Sequence, residues 1–310
     1  MRSIWVWRHG NRYSRRDLKM LSLNDIDILT GGKIGRFDLP CPICSPEKSA
    51  AGQKRKVMRL WRASSTYATY YCARCELSGY ARDGTARRPD AGELVRARLE
   101  AQRFTASVAE DRRRKARWLW SRRRPIQGTP AERYLREARG YNGALAPTLG
   151  FLPGSSNFSA ALISAFAFPS DAEHIEISAG AIQAVHLTRL APDGSAKAGT
   201  ETDKLVIGTP RGTPIVLAPI TDGLGLVIAE GIEDALSVHE ATGSGAWAAA
   251  SAPLLSHLVA TVPDYVECVT CVVDDDKAGR RNSAELAAGL ESRGIEVRLF
   301  YPARSRLAAA

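Results

Sequence analysis

The side chains best able to do chemistry are carboxylates and thiols gathered in short runs. In 226-LVIAEGIED-234 an apolar stretch ends at Glu230, and a helical pattern carrying Asp234 follows. In 269-VTCVVDDDKAG-279 a β-branched stretch ends at Asp274, Asp275 and Asp276. Crowded carboxylates repel one another unless a cation neutralises them. Hard divalent ions such as Mg²⁺ or Mn²⁺ take oxygen ligands of this kind together with substrate phosphates. Side chains at i and i+2 of an extended chain point the same way, so Asp274 and Asp276 are expected to converge while Asp275 faces elsewhere. Asp234, one helical turn beyond Glu230, is expected at the same mouth. The thiols form two C-x-x-C knuckles, Cys41/Cys44 and Cys72/Cys75, separated by 27 residues. That is the ligand pattern of a zinc ribbon, four thiolates around one tetrahedral ion.

These groups need elements to hold them. Strand patterns at Leu226–Ala229, Val269–Val273 and 295–301 alternate with helical patterns from Ile232, over 253–262 and from about Asn282. Such alternation implies a parallel sheet with helices on both faces and functional groups at the carboxyl ends of its strands. Between the knuckles, Val57–Arg62 and Thr66–Tyr71 read as strands of a small antiparallel sheet. A capping box at Thr129 and Glu132 opens a helix. Strand patterns then follow at 160–168, 181–190, 205–207 and 214–217, with turns at Pro192-Asp193-Gly194 and Pro210-Arg211-Gly212. This middle stretch reads as an antiparallel α+β unit.

The net charge of +10 on 310 residues is unevenly spread. Residues 86–124 hold thirteen Arg/Lys against five Asp/Glu, whereas residues 224–302 hold five against twelve. A basic arm beside an acidic, cation-hungry region suits an enzyme acting on a polyanion. No apolar run approaches the length of a membrane span and the N-terminus lacks a signal-peptide pattern, so a cytoplasmic protein without a membrane partner is expected. Arg112, Arg113 and Arg114 flank Trp118 and Trp120 and could form a strap on nucleic acid. Arg62 and Trp61, among the ribbon's basic and aromatic residues, could neutralise phosphates and stack on unpaired bases. The segment 31-GGKIG-35 is not a phosphate loop, since Asp27 and Ile34 stand where Gly and Ser/Thr are needed. Cys268 and Cys271 form a third C-x-x-C, but on opposite faces of a strand, and are expected to be buried thiols.

E-G-x-x-D followed by D-x-D-K-A-G resembles the Toprim domain shared by bacterial-type primases, topoisomerases and some nucleases. The two knuckles are similar to the zinc-binding domain of bacterial-type primases, with Cys44 where that family usually has His. The order of modules also resembles those primases. The resemblance implies an α/β protein with an N-terminal extension (1–35), a zinc ribbon (36–83), a basic helical linker (84–128), an α+β subdomain (129–222) and a C-terminal Toprim domain with a parallel sheet (223–303). It implies that Glu230, Asp274 and Asp276 are catalytic and, with Asp234, hold Mg²⁺ or Mn²⁺, while the four cysteines hold Zn²⁺. Arg189, Lys204 (in a segment resembling that family's K-Y-L-N) and Lys277 become candidates for contacts to template or nucleotide. The expected activity is template-directed nucleotidyl transfer making primers on single-stranded DNA from nucleoside triphosphates. A phage or mobile replicon, with a replicative helicase acting in trans, is the implied setting. A Toprim nuclease and a non-catalytic, zinc-dependent single-strand binder are the competing readings.

Overall fold

A computed structural model describes residues 5–8, 11–14, 20–84, 91–156, 158–167, 175, 177–221 and 223–302. Residues 85–90 of the expected basic linker and residue 303 lie outside the described residues. The chain divides into two compact units, residues 1–103 and 104–310.

The first unit opens with a hairpin of β1 (Trp5–Arg8) and β2 (Asn11–Ser14). Helix α1 (Leu23–Thr30) follows, capped by a reciprocal pair in which the Asp25 N–H donates to Ser22 Oγ and the Ser22 N–H to Asp25. Then come β3 (Gly35–Leu39), a short helix α2 (Ala50–Lys54), β4 (Met58–Ser64), β5 (Tyr67–Cys72) and β6 (Ser78–Arg82). The four strands β3 to β6 pair in sequence order as an antiparallel sheet. The period of two along β4 and β5 puts Met58, Leu60, Ala68, Tyr70 and Cys72 on one face, buried with Leu21 and Ile26. Tyr70 is tied there by a hydrogen bond from the Leu21 N–H (2.9 Å). Gly79 lies against its ring, and a Cβ at that position would stand 2.6 Å from the tyrosine oxygen.

Helix α3 (Ala91–Ser121) runs across the division of the two units. Within the second unit its end is no free linker, because Ala116 and Trp120 are buried with Ile163, Ala165, Ile182 and Val185. A short helix α4 (Pro130–Arg133) then leads into one wide π turn, Tyr134–Ala138. Next come β7 (Leu149–Leu152), β8 (Ala161–Ala167), β9 (Ile182–Arg189) and β10 (Lys204–Gly208), an antiparallel sheet in the order β10-β9-β8-β7.

The remaining elements are β11 (Ile215–Ala218), β12 (Gly225–Ala229), α5 (Ile232–Thr242), β13 (Gly245–Ala248), α6 (Ala252–Leu255), β14 (Cys268–Val272), α7 (Lys277–Glu291) and β15 (Glu296–Phe300). They build a five-stranded sheet ordered β11-β13-β12-β14-β15, parallel except for β11. The sequence placed β11 with the middle antiparallel unit. It instead pairs with β13 at the edge of the parallel sheet, Ile215 opposite Ala248. The helix expected over 253–262 is shorter, ending as α6 and one 3₁₀ turn at Ser256–Leu258. One face of the parallel sheet buries Leu226, Ile228, Trp247 and Cys271 against Leu255, Leu286 and Leu290. The other face, with Val227, Ala229, Ile215 and Leu217, shares a core with Tyr134, Leu162, Phe166 and Ala184 of the antiparallel unit. That shared core sets the two sheets against each other. Among the described residues no helix is long and apolar enough to cross a membrane.

Candidate metal centres

The cysteine centre is closed. Each knuckle is a tight turn, with the Ser45 N–H bonded to Cys41 O and the Glu76 N–H to Cys72 O, and Glu76 adopts a left-handed φ of 59°. The four sulfurs lie within 4.8 Å of one another. Cys41 and Cys75 stand 3.8 Å apart, as do Cys44 and Cys72. Zn–S bonds of about 2.3 Å in a tetrahedron separate ligand sulfurs by about 3.8 Å, so the residues fit zinc. Burial and the neighbouring thiols push Cys44 up to about 12. Burial works the same way on Cys72, but N–H groups of Cys75 and Arg74 outweigh it and lower that thiol. Thiols crowded like this are brought to the thiolate form by a bound cation.

The outer face of the ribbon sheet carries Arg59, Trp61, Thr69 and Tyr71, which with Lys56 and Asp38 line an open groove of 660 Å³. Tyr67 and Tyr80 stack beside one another with centroids 6.3 Å apart. Trp61 is half-buried and lines this groove. Arg62 does not. It shares the inner face with Met58 and Leu60, is 4% exposed, pairs with Asp27 and donates to Thr30 Oγ1 (3.3 Å) and to backbone oxygens of Ser64 and Ser65. Its cation is used inside the ribbon and is not presented at the surface for the expected contact with nucleic acid.

The acidic centre is open and is built on two neighbouring strands. In the parallel register of β12 and β14, Ile228 stands beside Cys271, so Glu230 leaves the sheet level with Val273 and Asp274 follows one residue further on. Gly231 then starts α5, and a Cβ there would collide with the Asp234 carboxylate. The Asp274–Asp276 segment is not extended, as the sequence suggested, but a tight turn in which the Asp276 N–H donates to Asp274 O (2.8 Å). Asp276 caps α7 by accepting from the Gly279 N–H at 2.6 Å. Gly279 is required by that closeness, since a Cβ would lie 2.6 Å from Asp274 O. Asp275 points out to a pair with Arg280 (2.6 Å).

The acids at these strand ends act on one another's charge. Glu230 is raised above the usual carboxylate range by burial and then by Asp274, with Asp276 adding to it against Lys204. Asp234 is raised by burial and then by Asp274 and Glu233. Among the described residues, however, only the cysteines bring three or more donor atoms within 4.8 Å. An oxygen-lined, loosely gathered mouth fits Mg²⁺, which keeps several waters and needs only one or two carboxylates.

Lys204 reaches this mouth from β10, and its Nζ lies 4.0 Å from Glu233 Oε2. The sequence missed what surrounds it. Lys197 Nζ stands 3.6 Å from Glu233 Oε1. Tyr134 donates its hydroxyl to the same carboxylate at 2.8 Å, and Arg139 Nε donates to the tyrosine oxygen at 2.9 Å. Burial alone would raise Glu233, but Lys204, its own backbone N–H, Tyr134 and Lys197 bring it down to about 2. Beneath them His186 is buried, its Nδ1 without a hydrogen-bond partner, and burial and then Lys204 depress it to about 4.

The other candidates are scattered. Arg189 ends β9, half-buried, with its backbone bonded to Asp203 and Ala198. Lys277 is exposed at the first position of α7. On α3, Arg113 pairs with Glu110 (2.9 Å) and Arg114 with Asp111, while Arg112 and Trp118 are exposed. Trp120 is buried under the Arg123 guanidinium, 4.0 Å from its ring centroid. Part of the expected strap is thus internally neutralised or packed. Of the two thiols expected to be buried, Cys271 is, while Cys268 at the start of β14 is only half-buried.

Residues 225–306 match the Toprim domain. Residues 110–217 match a domain of unknown function, DUF7146. None of the curated proteins matches the chain. Among solved structures, the primase fragment of the bacteriophage T7 primase-helicase protein aligns at 14% identity over 85% of this chain and 88% of its own, with a TM-score of 0.35. The Aquifex aeolicus primase (zinc-binding and RNA polymerase domains) aligns at 14% identity over 93% and 78%, with a TM-score of 0.39. A DNA primase domain from Pseudomonas aeruginosa aligns at 14% over 54% and 50%, with a TM-score of 0.32. At these scores none of the three establishes a shared fold.

Proposed function

We propose that this Toprim-containing chain is a primase-type nucleotidyltransferase, joining nucleoside triphosphates along a single-stranded DNA template. One observation carries the proposal: Glu230, Asp234 and Asp274, with the capping Asp276, gather at the ends of two parallel strands while Lys204 faces them from the second sheet. Asp274, Asp276 and Asp234 would hold Mg²⁺ or Mn²⁺. Such ions, when bound, activate a 3′-hydroxyl and neutralise a triphosphate for in-line displacement.

The chain's own residues supply the rest. Glu230, whose carboxyl is raised by burial and by Asp274, is placed to accept the hydroxyl proton or to complete the metal shell. Lys204 and Lys197 meet the triphosphate, and Lys277 and Arg189 are further cations for nucleotide or template. The ribbon groove, with Trp61 and Tyr71 as stacking surfaces and Lys56 and Arg59 for phosphates, receives unpaired bases, and in the second unit the exposed Arg112 and Trp118 offer a separate contact to nucleic acid. A cytoplasmic setting in a phage or mobile replicon, with a helicase in trans, completes the reading.

The test is to incubate the zinc-loaded protein with labelled single-stranded DNA, nucleoside triphosphates and Mg²⁺ or Mn²⁺. New strands complementary to the template support the proposal. Shortening of the template assigns the same acids to a Toprim nuclease, and binding with neither change leaves a single-strand binder.

A further inference from the structure

Glu233 is surplus to the acidic centre, yet it is a largely buried carboxylate that holds a tyrosine hydroxyl and faces two lysines. We infer that Glu233 is a positioning residue that stands between Lys197 and Lys204 where an incoming polyphosphate will sit. It keeps the two ammonium groups side by side until the anion displaces them from it. The inference rests on the nucleotidyl-transfer reading above, because it names how that site receives its triphosphate.

The contacts of Glu233 differ in kind. The carboxylate is fixed through Oε1, to which the hydroxyl of fully buried Tyr134 donates at 2.8 Å while Arg139 holds that hydroxyl at 2.9 Å. The lysine contacts, Lys197 to the same oxygen and Lys204 to Oε2, are loose. Lys197 and Lys204 approach only to 3.6 and 4.0 Å, beyond hydrogen-bond length, and are 30% and 44% exposed against 15% for Glu233. The donors of the two lysines therefore remain available to a ligand while the carboxylate is committed elsewhere.

The backbone beneath the lysines is fixed as well. Lys197 bridges to Leu190 just beyond β9, and Lys204 pairs with Thr188 within the sheet. The turn between Leu190 and Lys197 is pinned where Arg133 donates to Asp193 O (2.8 Å) and where Gly194, at φ +79°, presses on the Pro130 carbonyl too closely for any side chain. Two cations held this close repel unless an anion lies between them. One carboxylate serves that purpose weakly. A triphosphate, with several charges and more acceptors, displaces it.

The sign of the effect separates this role from a structural one. Inorganic tripolyphosphate in Mg²⁺ is titrated calorimetrically into the full chain and its variants. Lys197→Ala and Lys204→Ala should each weaken binding about fivefold, because each loses a charge-assisted contact. Glu233→Gln should tighten it about threefold or more, because the competing anion is gone, and its effect should not add to that of Lys197→Ala. Glu233→Asp, still charged but withdrawn by one methylene, should fall between wild type and Gln. If Glu233→Gln fails to fold, the Asp variant decides in the same way. Unchanged or weaker tripolyphosphate binding in the folded Glu233 variants overturns the inference, even if primers are made. Opposite-signed shifts in a protein that makes no primer uphold it and overturn the proposed reaction instead.

Discussion

In the ribbon, four sulfurs stand within 4.8 Å of one another, while at the ends of β12 and β14 no three donor atoms come so close among the described residues. Both regions concentrate groups that become anions, yet they do so for different ends. Thiolates at tetrahedral spacing enclose an ion and leave no position for substrate, which makes the metal part of the fold. Spread carboxylates leave coordination positions for water and phosphate, and their repulsion is balanced by the protein, through Lys204 and the bonds of the Asp276 cap. A centre that folds a domain and a centre that works on a ligand can thus be told apart by how much of the coordination shell the chain fills.

Breaking the closed centre should have the largest effect. Cys72→Ala removes one of four ligands, and structural zinc sites supply roughly 10 kcal/mol or more of apparent folding energy in small modules. The ribbon should lose its zinc, measured by elemental analysis, and its cooperative melting, while the second unit keeps its own transition. A zinc content near one per chain in this variant would show that the knuckles do not act together.

The open centre should respond in the opposite manner. Asp276→Asn preserves the cap on α7, because Asn caps helices about as well as Asp, but removes charge from the mouth. Primer synthesis should fall at least about a hundredfold, with zinc content and melting temperature nearly unchanged. Equal losses of stability and activity would mean that Asp276 is only a cap.

Below the mouth, His186 sharpens the contrast, since burial keeps it neutral. Its folded pKa of about 4 lies below the ordinary 6.5, so it favours the folded state fully above pH 6.5 and progressively less as pH falls toward 4. That difference corresponds to about 3 kcal/mol. His186→Gln should flatten the acid limb of the stability curve of the second unit, followed by denaturant titration between pH 7 and 4. A limb as steep as in wild type would assign acid sensitivity to other groups.

The smallest effect concerns packing at the open centre. Gly279→Ala puts a Cβ 2.6 Å from Asp274 O, so α7 must shift away from the turn that caps it. A loss of about 1–3 kcal/mol is expected for such overpacking. The affinity for Mn²⁺ should weaken with it, and an unchanged affinity would show the turn to be independent of the helix.

Much of this was legible because the ligands are close in sequence. Each knuckle is four residues long, and the acids follow directly from β-branched strands, so both centres announce themselves. At Arg62 the abundance of neighbouring basic residues suggests a surface, whereas its alternation with Met58 and Leu60 along β4 is what places it inward. The turn at Asp274–Asp276 was read as extended because the strand pattern gives no sign of where hydrogen bonding stops. Strand β11 is only four residues long, and nothing local says which sheet it joins. The Glu233 network was hidden for a deeper reason. Tyr134 and Glu233 are 99 residues apart, and Lys197 lies in a loop, so only the shared core of the two sheets brings them together.

Counting Mn²⁺ bound to the zinc-loaded protein by electron paramagnetic resonance tests the two-centre account most directly. Wild type should bind Mn²⁺ at the acidic mouth, Asp274→Asn should lose that binding, and Asp275→Asn, altered only at the outward pair with Arg280, should keep it. Mn²⁺ binding that survives Asp274→Asn, or that disappears with Asp275→Asn, would contradict a cation site at the ends of β12 and β14.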